Sequence, residues 1–473
     1  MPGLVIAILL IASLLLVHFS MQTRPMPARH PLDVDQNLPL PEIGQASTVF
    51  SLTALFGAYF GIYIILGLPA LGGVACGTVL GLFIIRHWIH KQQPGTFEEF
   101  LQNILQGSGL NGEVFALFTA VTQGAYAVSE LLILRELSRI ALGLRSDHAT
   151  ILAISTGIIG YFYVLFGGYL AVYRTDILQF LLVAIMTAAF GIYFLATGIA
   201  AKLGNITWPI WPRPGYWELP LAGAVPASWE YLYHFAIGII MGLGLLAAAP
   251  DAWKRVFVVT TLRRNTLSRF AIFVCVGIAP FIVLLPLGLF ISPIPDGPIN
   301  ARQMFAGFPA NNALFIAASL GLIACFLSSF NSALLASVHV SLMVRRKMHP
   351  LATTEFPRFH RLMASVLVAI SLLFLSLSSF ENPYLLGNLL LGPYAIIAGM
   401  QVGTDATPGR LPGNTVLFIA VIGFVGWFIY FVSGAVPTVP TTYEINTVPA
   451  GVLMFLLIVV ICRVLLRLRG SHA

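Results

Sequence analysis

Charge is what this sequence has least of. Only 9% of its 473 residues are Asp, Glu, Lys or Arg, whereas 58% are hydrophobic; a soluble globular domain carries about 25% charged residues. Such a ratio excludes a water-exposed globule of this length and defines an integral membrane protein. Cysteine is scarce too. Cys76, Cys275, Cys325 and Cys462 lie far apart within apolar runs, with no CxxC pair and no Cys/His cluster at metal-ligand spacing. They read as packing residues rather than a disulfide framework or a zinc site.

Catalytic signatures are also missing. No HExxH, GxSxG or Walker loop occurs, so the reading is not an enzyme, and no organic cofactor is implied. No basic stripe with interleaved aromatics is present, so the formal charge of +7 gives no reason to expect nucleic acid as a partner. The longest polar stretches, 19–46, 91–111, 201–227 and 345–359, are too short for a soluble domain.

What the chain does have is apolar runs. A helix needs about 20 apolar residues to cross roughly 30 Å of hydrocarbon, and about thirteen such runs recur between charges, Pro and Gly. They fall at 2–18, 47–67, 71–90, 113–142, 149–171, 176–200, 228–250, 268–291, 312–344, 360–380, 384–403, 414–434 and 448–468. The period-2 alternation of a membrane β-barrel is absent, and backbone groups in lipid must bond internally, so the expected fold is an all-α polytopic bundle.

The first run has a signal-like core but neither a basic start nor a small-residue cleavage site, and it is read as a span. Basic loops stay cytoplasmic. With the N-terminus outside and the C-terminus in the cytoplasm, 19 of the 25 Lys and Arg residues fall on the cytoplasmic side, leaving 25 − 19 = 6 opposite. The expected location is the cell's inner or plasma membrane, with the bilayer as an obligatory partner. The external loop 201–227, rich in Trp and Pro, reads as an ordered segment at the interface.

Polar residues within spans are costly and therefore informative. In "CFLSSFNSALLAS", 325–337, Cys325, Ser328 and Ser332 share one helical face with Ser329 beside them. Hydroxyl and carbonyl oxygens suit hard cations such as Na⁺. Small hydroxyl residues also allow close helix packing, and Ser can bond back to its own helix. In "GGYLAVYRTDILQ", 167–179, Asp176 and Gln179 are i, i+3 neighbours, placed either for an ion or as the opening of a helix with Thr175 as its cap.

Glu130 lies at least a turn inside its span, and Arg135, Glu136 and Arg139 approach its external end as an ion-pair cluster. Finally, Gly57, Gly61 and Gly67 allow either unwinding around a cation or close packing.

In order along the chain, "GLP" at 67–69, "TFEEFL" at 96–101, "FGGYLAVYRTDILQ" at 166–179, "APDAWKRVF" at 249–257 and "CFLSSFNSALLAS" resemble motifs of the sodium/solute symporter family. The family carries proline, sugars, sialic acid and carboxylates with sodium. The resemblance covers about residues 47–400. It implies two inverted five-helix repeats, 47–200 and 228–380, after an extra helix and linker in 1–46 and before further helices in 381–473, with 201–227 as the external loop between repeats.

The resemblance further implies one Na⁺ site from backbone oxygens of Gly57, Phe60 and Cys325 with the side chains of Ser328 and Ser329. A second Na⁺ would take Asp176, Ser328, Asn331 and Ser332. By position, substrate would meet Tyr63, Gln123, Tyr126, Glu130, Tyr233 and His234. Where several members carry Asp or a hydroxyl residue in the first core helix, this chain has "YFG" at 59–61.

The implied function is sodium-coupled import of a small organic solute (amino acid, carboxylate or sugar) by alternating access. An alternative is a transporter-like sensor or accessory subunit that binds a solute and acts through a membrane or signalling partner. Proton coupling through Asp176 or Glu130 is a third.

Overall fold

A computed structural model describes residues 64–105, 110–141, 143–196, 227–261, 270–271, 274–275, 312–348, 356–377, 385–407, 411, 413–434 and 441–470. Among these, every regular element is helical: α1 (Ile64–Gln92), α2 (Phe97–Leu105), α3 (Leu110–Ala141), α4 (Ser146–Ala196), α5 (Ala227–Ala247), α6 (Pro250–Thr261), α7 (Asn312–Met348), α8 (Phe356–Leu377), α9 (Leu385–Gly403), α10 (Gly413–Gly434) and α11 (Thr441–Gly470).

Among the described residues five helices are long and apolar enough to cross a membrane, and a sixth span arises if α5 and α6, bent by 78°, count as one. Phe418, Ile429, Leu453 and Val460 on α10 and α11 are exposed. In a bilayer such apolar faces meet lipid rather than water.

Three boundaries differ from those expected. The helix α1 runs straight through "GLP", with Pro69 inside it, so no loop separates spans at 67–71. Pro69 has no N–H to donate, so α1 passes through it with one i to i−4 bond missing. The second difference is α4, helical over 51 residues, which places Thr175 and Asp176 inside a helix and not at its start.

This long helix nonetheless bends. Gly160 packs on Phe330 and Asn331, whereas Met186 packs on Gly321. Those points are about 15 Å apart along α7, whereas straight helix from 160 to 186 would extend about 39 Å. Gly167 and Gly168 lie between the two contacts, and Gly-containing pairs are a common cause of sharp kinks. Third, the stretch after residue 250, expected to be a loop, opens with α6.

Local chemistry explains where the short helices begin. At α2 the Thr96 hydroxyl accepts from the Glu99 N–H at 3.1 Å, and Glu99 reaches back to accept from the Gly95 N–H at 2.7 Å, a variant of the capping box. The apolar face of α2 then meets α6: Phe97 and Phe100 pack on Phe257, and the Lys254 ammonium lies 4.5 Å from the Phe97 ring centroid.

The tightest seam is between α1 and α5. Glycines at 73 and 77 face glycines at 238 and 242, and the backbones touch: a Cβ on Gly77 would collide with the Ile239 carbonyl, and one on Gly238 with that of Ala70. Without a hydrophobic drive between helices in lipid, small residues gain association by such close approach. A Cβ on Gly242 would lie 2.9 Å from the Thr78 amide nitrogen. Gly242→Ala is therefore expected to cost about 1–3 kcal/mol, the usual scale of overpacking, read as a lower melting temperature of the purified protein in detergent. An unchanged melting temperature would refute the seam.

At their cytoplasmic ends, in the orientation expected from charge, α1 and α9 are tied by Asp405. It accepts from Trp88 Nε1 at 3.1 Å and pairs with Lys91, and Gln92 Nε2 donates to the Ala406 carbonyl at 3.2 Å. Partial burial works against the charge on Asp405, but the Lys91 contacts prevail and hold its carboxyl below the usual range. Asp405 and Ala406 both adopt left-handed backbone, with φ of 54° and 56°. Asp tolerates that geometry better than Ala, so the tie to α1 helps to hold the turn.

Candidate functional site

The helices α4, α6 and α7 bring the polar residues of three separate sequence stretches together. Asp176 of α4 is fully buried. Its Oδ1 accepts from the Ser328 hydroxyl on α7 at 2.8 Å, and its Oδ2 accepts from Arg255 Nη2 on α6 at 2.6 Å. The same guanidinium donates from Nη2 to Ser332 Oγ at 3.4 Å and from Nε to Asp251 Oδ2 at 2.9 Å. Asp251 and Arg255 form an i, i+4 pair on α6, the spacing that sets two side chains on one face.

Hydrogen bonding to a charged partner and a low dielectric make such contacts strong, while desolvation makes a missing partner expensive. The face of α7 that presents Ser328 and Ser332 is buried along its whole length from 323 to 340, so these hydroxyls are cut off from lipid and from water.

The residues implied for the second cation are thus partly assembled. Asp176, Ser328 and Ser332 converge; Asn331 is fully buried nearby on α7, but its amide atoms bond to nothing among the described residues. Gln179, one turn after Asp176, is likewise buried with both amide atoms unbonded among the described residues.

Of the first cation set, Ser328 and Ser329 are buried side by side with Cys325 one turn earlier. Because α7 is continuously helical, the Cys325 carbonyl already faces the Ser329 N–H and has one lone pair left for another partner. Gly57, Phe60 and Tyr63 lie outside the described residues. No cluster of three or more His, Cys, Asp or Glu capable of holding a metal occurs among the described residues.

A second polar group lies between α3, α9 and the joint of α5 with α6. Gln123 Nε2 donates to the Ala248 carbonyl at 3.2 Å, within that joint, and its Oε1 accepts from the Tyr394 hydroxyl at 3.3 Å. Tyr126 and Tyr394 meet edge to face, with centroids 5.9 Å apart. Glu130 is fully buried two turns further along α3, which packs directly on α7, where the Ser337 hydroxyl donates to the Ala120 carbonyl of α3 at 2.7 Å. Tyr394 also borders an apolar recess between α5, α9 and α11, lined by Met241, Leu391 and Phe455.

Not every expected residue joins. Tyr233 and His234 touch each other near the start of α5, about 21 Å along the helix from Ala248, and are not gathered with Gln123. The Arg135, Glu136 and Arg139 cluster is a structural tie: Arg135 bonds Glu136 at 2.9 Å and the Leu375 carbonyl of α8 at 2.8 Å. Two residues of these polar groups are not among those expected: Arg255, which lies within the quoted "APDAWKRVF" stretch, and Tyr394, a lone hydroxyl inside an apolar run.

Among the described residues every regular element is helical, and charged and hydroxyl groups converge at a buried centre. The chain is similar to a Na⁺-coupled sialic acid symporter in a substrate-bound, outward-open state, with TM-score 0.55, 14% identity, and 96% of this chain and 97% of that chain covered. It is also similar, more weakly, to a mutant manganese transporter of Eremococcus coleocola, with TM-score 0.44, 12% identity, and 90% and 94% covered. No protein-family model matches the sequence, and no curated protein does. At such identity the first likeness shows that the two chains share a fold.

Proposed function

We propose that this protein is a sodium-coupled symporter that imports a small organic solute by alternating access. The reading includes about thirteen membrane helices, two inverted five-helix repeats at 47–200 and 228–380, and an external N-terminus. Its principal support is the convergence of Asp176, Ser328 and Ser332 at full burial in the middle of α7, oxygen donors of the kind that suit a hard monovalent cation. The likeness to a symporter whose coupling ion is Na⁺ favours sodium over a proton.

In this reading one Na⁺ binds at Ser328 and Ser329 with the Cys325 carbonyl and backbone oxygens of Gly57 and Phe60. A second binds at Asp176 with Ser328, Asn331 and Ser332. The solute lies against Gln123, Tyr126, Glu130 and Tyr394, at the joint of α5 and α6, where a hydrogen bond already links α3 to the bend. Ion and solute then favour the same conformation, which is coupling by population shift. Each Na⁺ moving inward across 100 mV contributes about 2.3 kcal/mol, roughly 50-fold in solute accumulation.

Uptake of radiolabelled solutes into proteoliposomes tests this. Flux is expected to require Na⁺, and Ser328→Ala with Ser329→Ala is expected to abolish that requirement. Na⁺ dependence that persists unchanged in the double variant would overturn the assignment. Solutes can first be ranked by thermal shift with and without Na⁺, since a ligand that binds the folded state raises its stability by mass action.

A further inference from the structure

Arg255 already sits where a second cation would bind. Its Nη2 is 2.6 Å from Asp176 Oδ2 and 3.4 Å from Ser332 Oγ, two of the atoms expected to hold an ion. Both carboxylate oxygens of Asp176 are engaged, Oδ1 by Ser328. A guanidinium and a metal cation on one carboxylate repel each other at a separation where a buried site gives little screening. The two therefore compete for the carboxylate.

Arg255 also has a place to go. Its Nε is bonded to Asp251 at 2.9 Å on its own helix, so a guanidinium displaced from Asp176 keeps a counter-charge and is not stranded. The helix that would carry it away, α6, joins α5 at 78°, and α5 is seated on α1 through the glycine seam. The contact between Arg255 and Asp176 is thus a cross-link between the α1, α5 and α6 arm and the α4–α7 pair.

We propose that Arg255 is a tethered competitor for the coupling cation at Asp176, so that arrival of Na⁺ there releases α6 from α4 and α7. This rests on the reading of Asp176 as a cation ligand. It goes beyond that reading by making release of the cytoplasmic arm a consequence of occupancy at that one carboxylate. A purely architectural ion pair would stabilise the fold equally with or without Na⁺.

The test uses the full chain in lipid nanodiscs, in NaCl or in N-methyl-D-glucamine chloride of equal ionic strength, with ²²Na⁺ binding and amide hydrogen exchange of α6 (Pro250–Thr261) as readouts. In the unaltered protein Na⁺ is expected to speed exchange in α6. In Arg255→Gln, exchange is expected to be fast already and indifferent to Na⁺, and half-saturating Na⁺ is expected to fall at least tenfold. Arg255→Lys, which keeps the charge, should stay within threefold of the parent.

Exchange of α6 that ignores Na⁺ in a protein that binds ²²Na⁺ would overturn the proposal and leave the symporter reading standing, and this comparison needs no variant that must fold. Absence of ²²Na⁺ binding from both the parent and Arg255→Gln would overturn the symporter reading, and the proposal with it.

Discussion

Asp176→Ala is expected to destabilise the protein by about 3 kcal/mol, the low end of the range for removing one partner from a buried ion pair. The low end applies because Arg255 keeps its bond to Asp251. What is lost is the carboxylate that holds the guanidinium at 2.6 Å and the Ser328 hydroxyl at 2.8 Å, each at full burial. The Ser328 donor is left without its acceptor, which adds to the loss.

Replacing both charges with apolar groups behaves differently, because desolvation of the pair offsets much of its attraction. The double variant Asp176→Leu with Arg255→Met leaves Asp251 without its partner, and it is expected to cost less than the sum of the two single replacements. A double-mutant cycle by denaturant or thermal unfolding checks this. Simple additivity of the two single effects would mean that the side chains do not act as a pair.

Glu130→Gln is expected to lower uptake, measured as kcat/KM in proteoliposomes, by about 10- to 150-fold with the fold intact, which corresponds to losing one hydrogen bond to a charged group at about 1.5–3 kcal/mol. An ionisable side chain at membrane depth is costly to keep. Glu130 is fully buried on α3, two turns from Gln123, in the position proposed for the solute. Its conservative amide keeps size and shape, so a loss confined to uptake, with melting temperature and ²²Na⁺ binding retained, separates solute recognition from architecture. Uptake within twofold of the parent would remove Glu130 from the solute site.

The sequence carried the α4–α7 half of this site because hydroxyls and a carboxylate stand out within apolar runs, and helical periodicity sets Ser328 and Ser332 on one face. Arg255 belongs to the quoted "APDAWKRVF" stretch, but its place beside Asp176 is not legible there. It stands among several basic residues that charge counting assigns to a cytoplasmic loop, and nothing local shows that α6 folds back against α4.

Tyr394 follows Pro393 in an almost wholly apolar helix, where one phenol is as readily a core residue as a ligand. Tyr233 and His234 are candidates by position along the helix, and that position does not determine which side of α5 faces Gln123. Gly and Pro do not end the helices here: at Gly67–Pro69 the helix continues, and at Gly167–Gly168 the backbone bonding persists through a bend. Local propensity gives way there to packing against neighbouring helices.

The glycine seam between α1 and α5 also determines which parts of the protein can move independently. Two backbones in direct contact, with no side chains between them to change rotamer, have no slack for sliding, since close-packed interfaces switch between discrete arrangements and do not deform smoothly. The α1–α5 pair is therefore expected to move as one stiff unit, and any rearrangement around it falls at its side-chain contacts with α9 and α11.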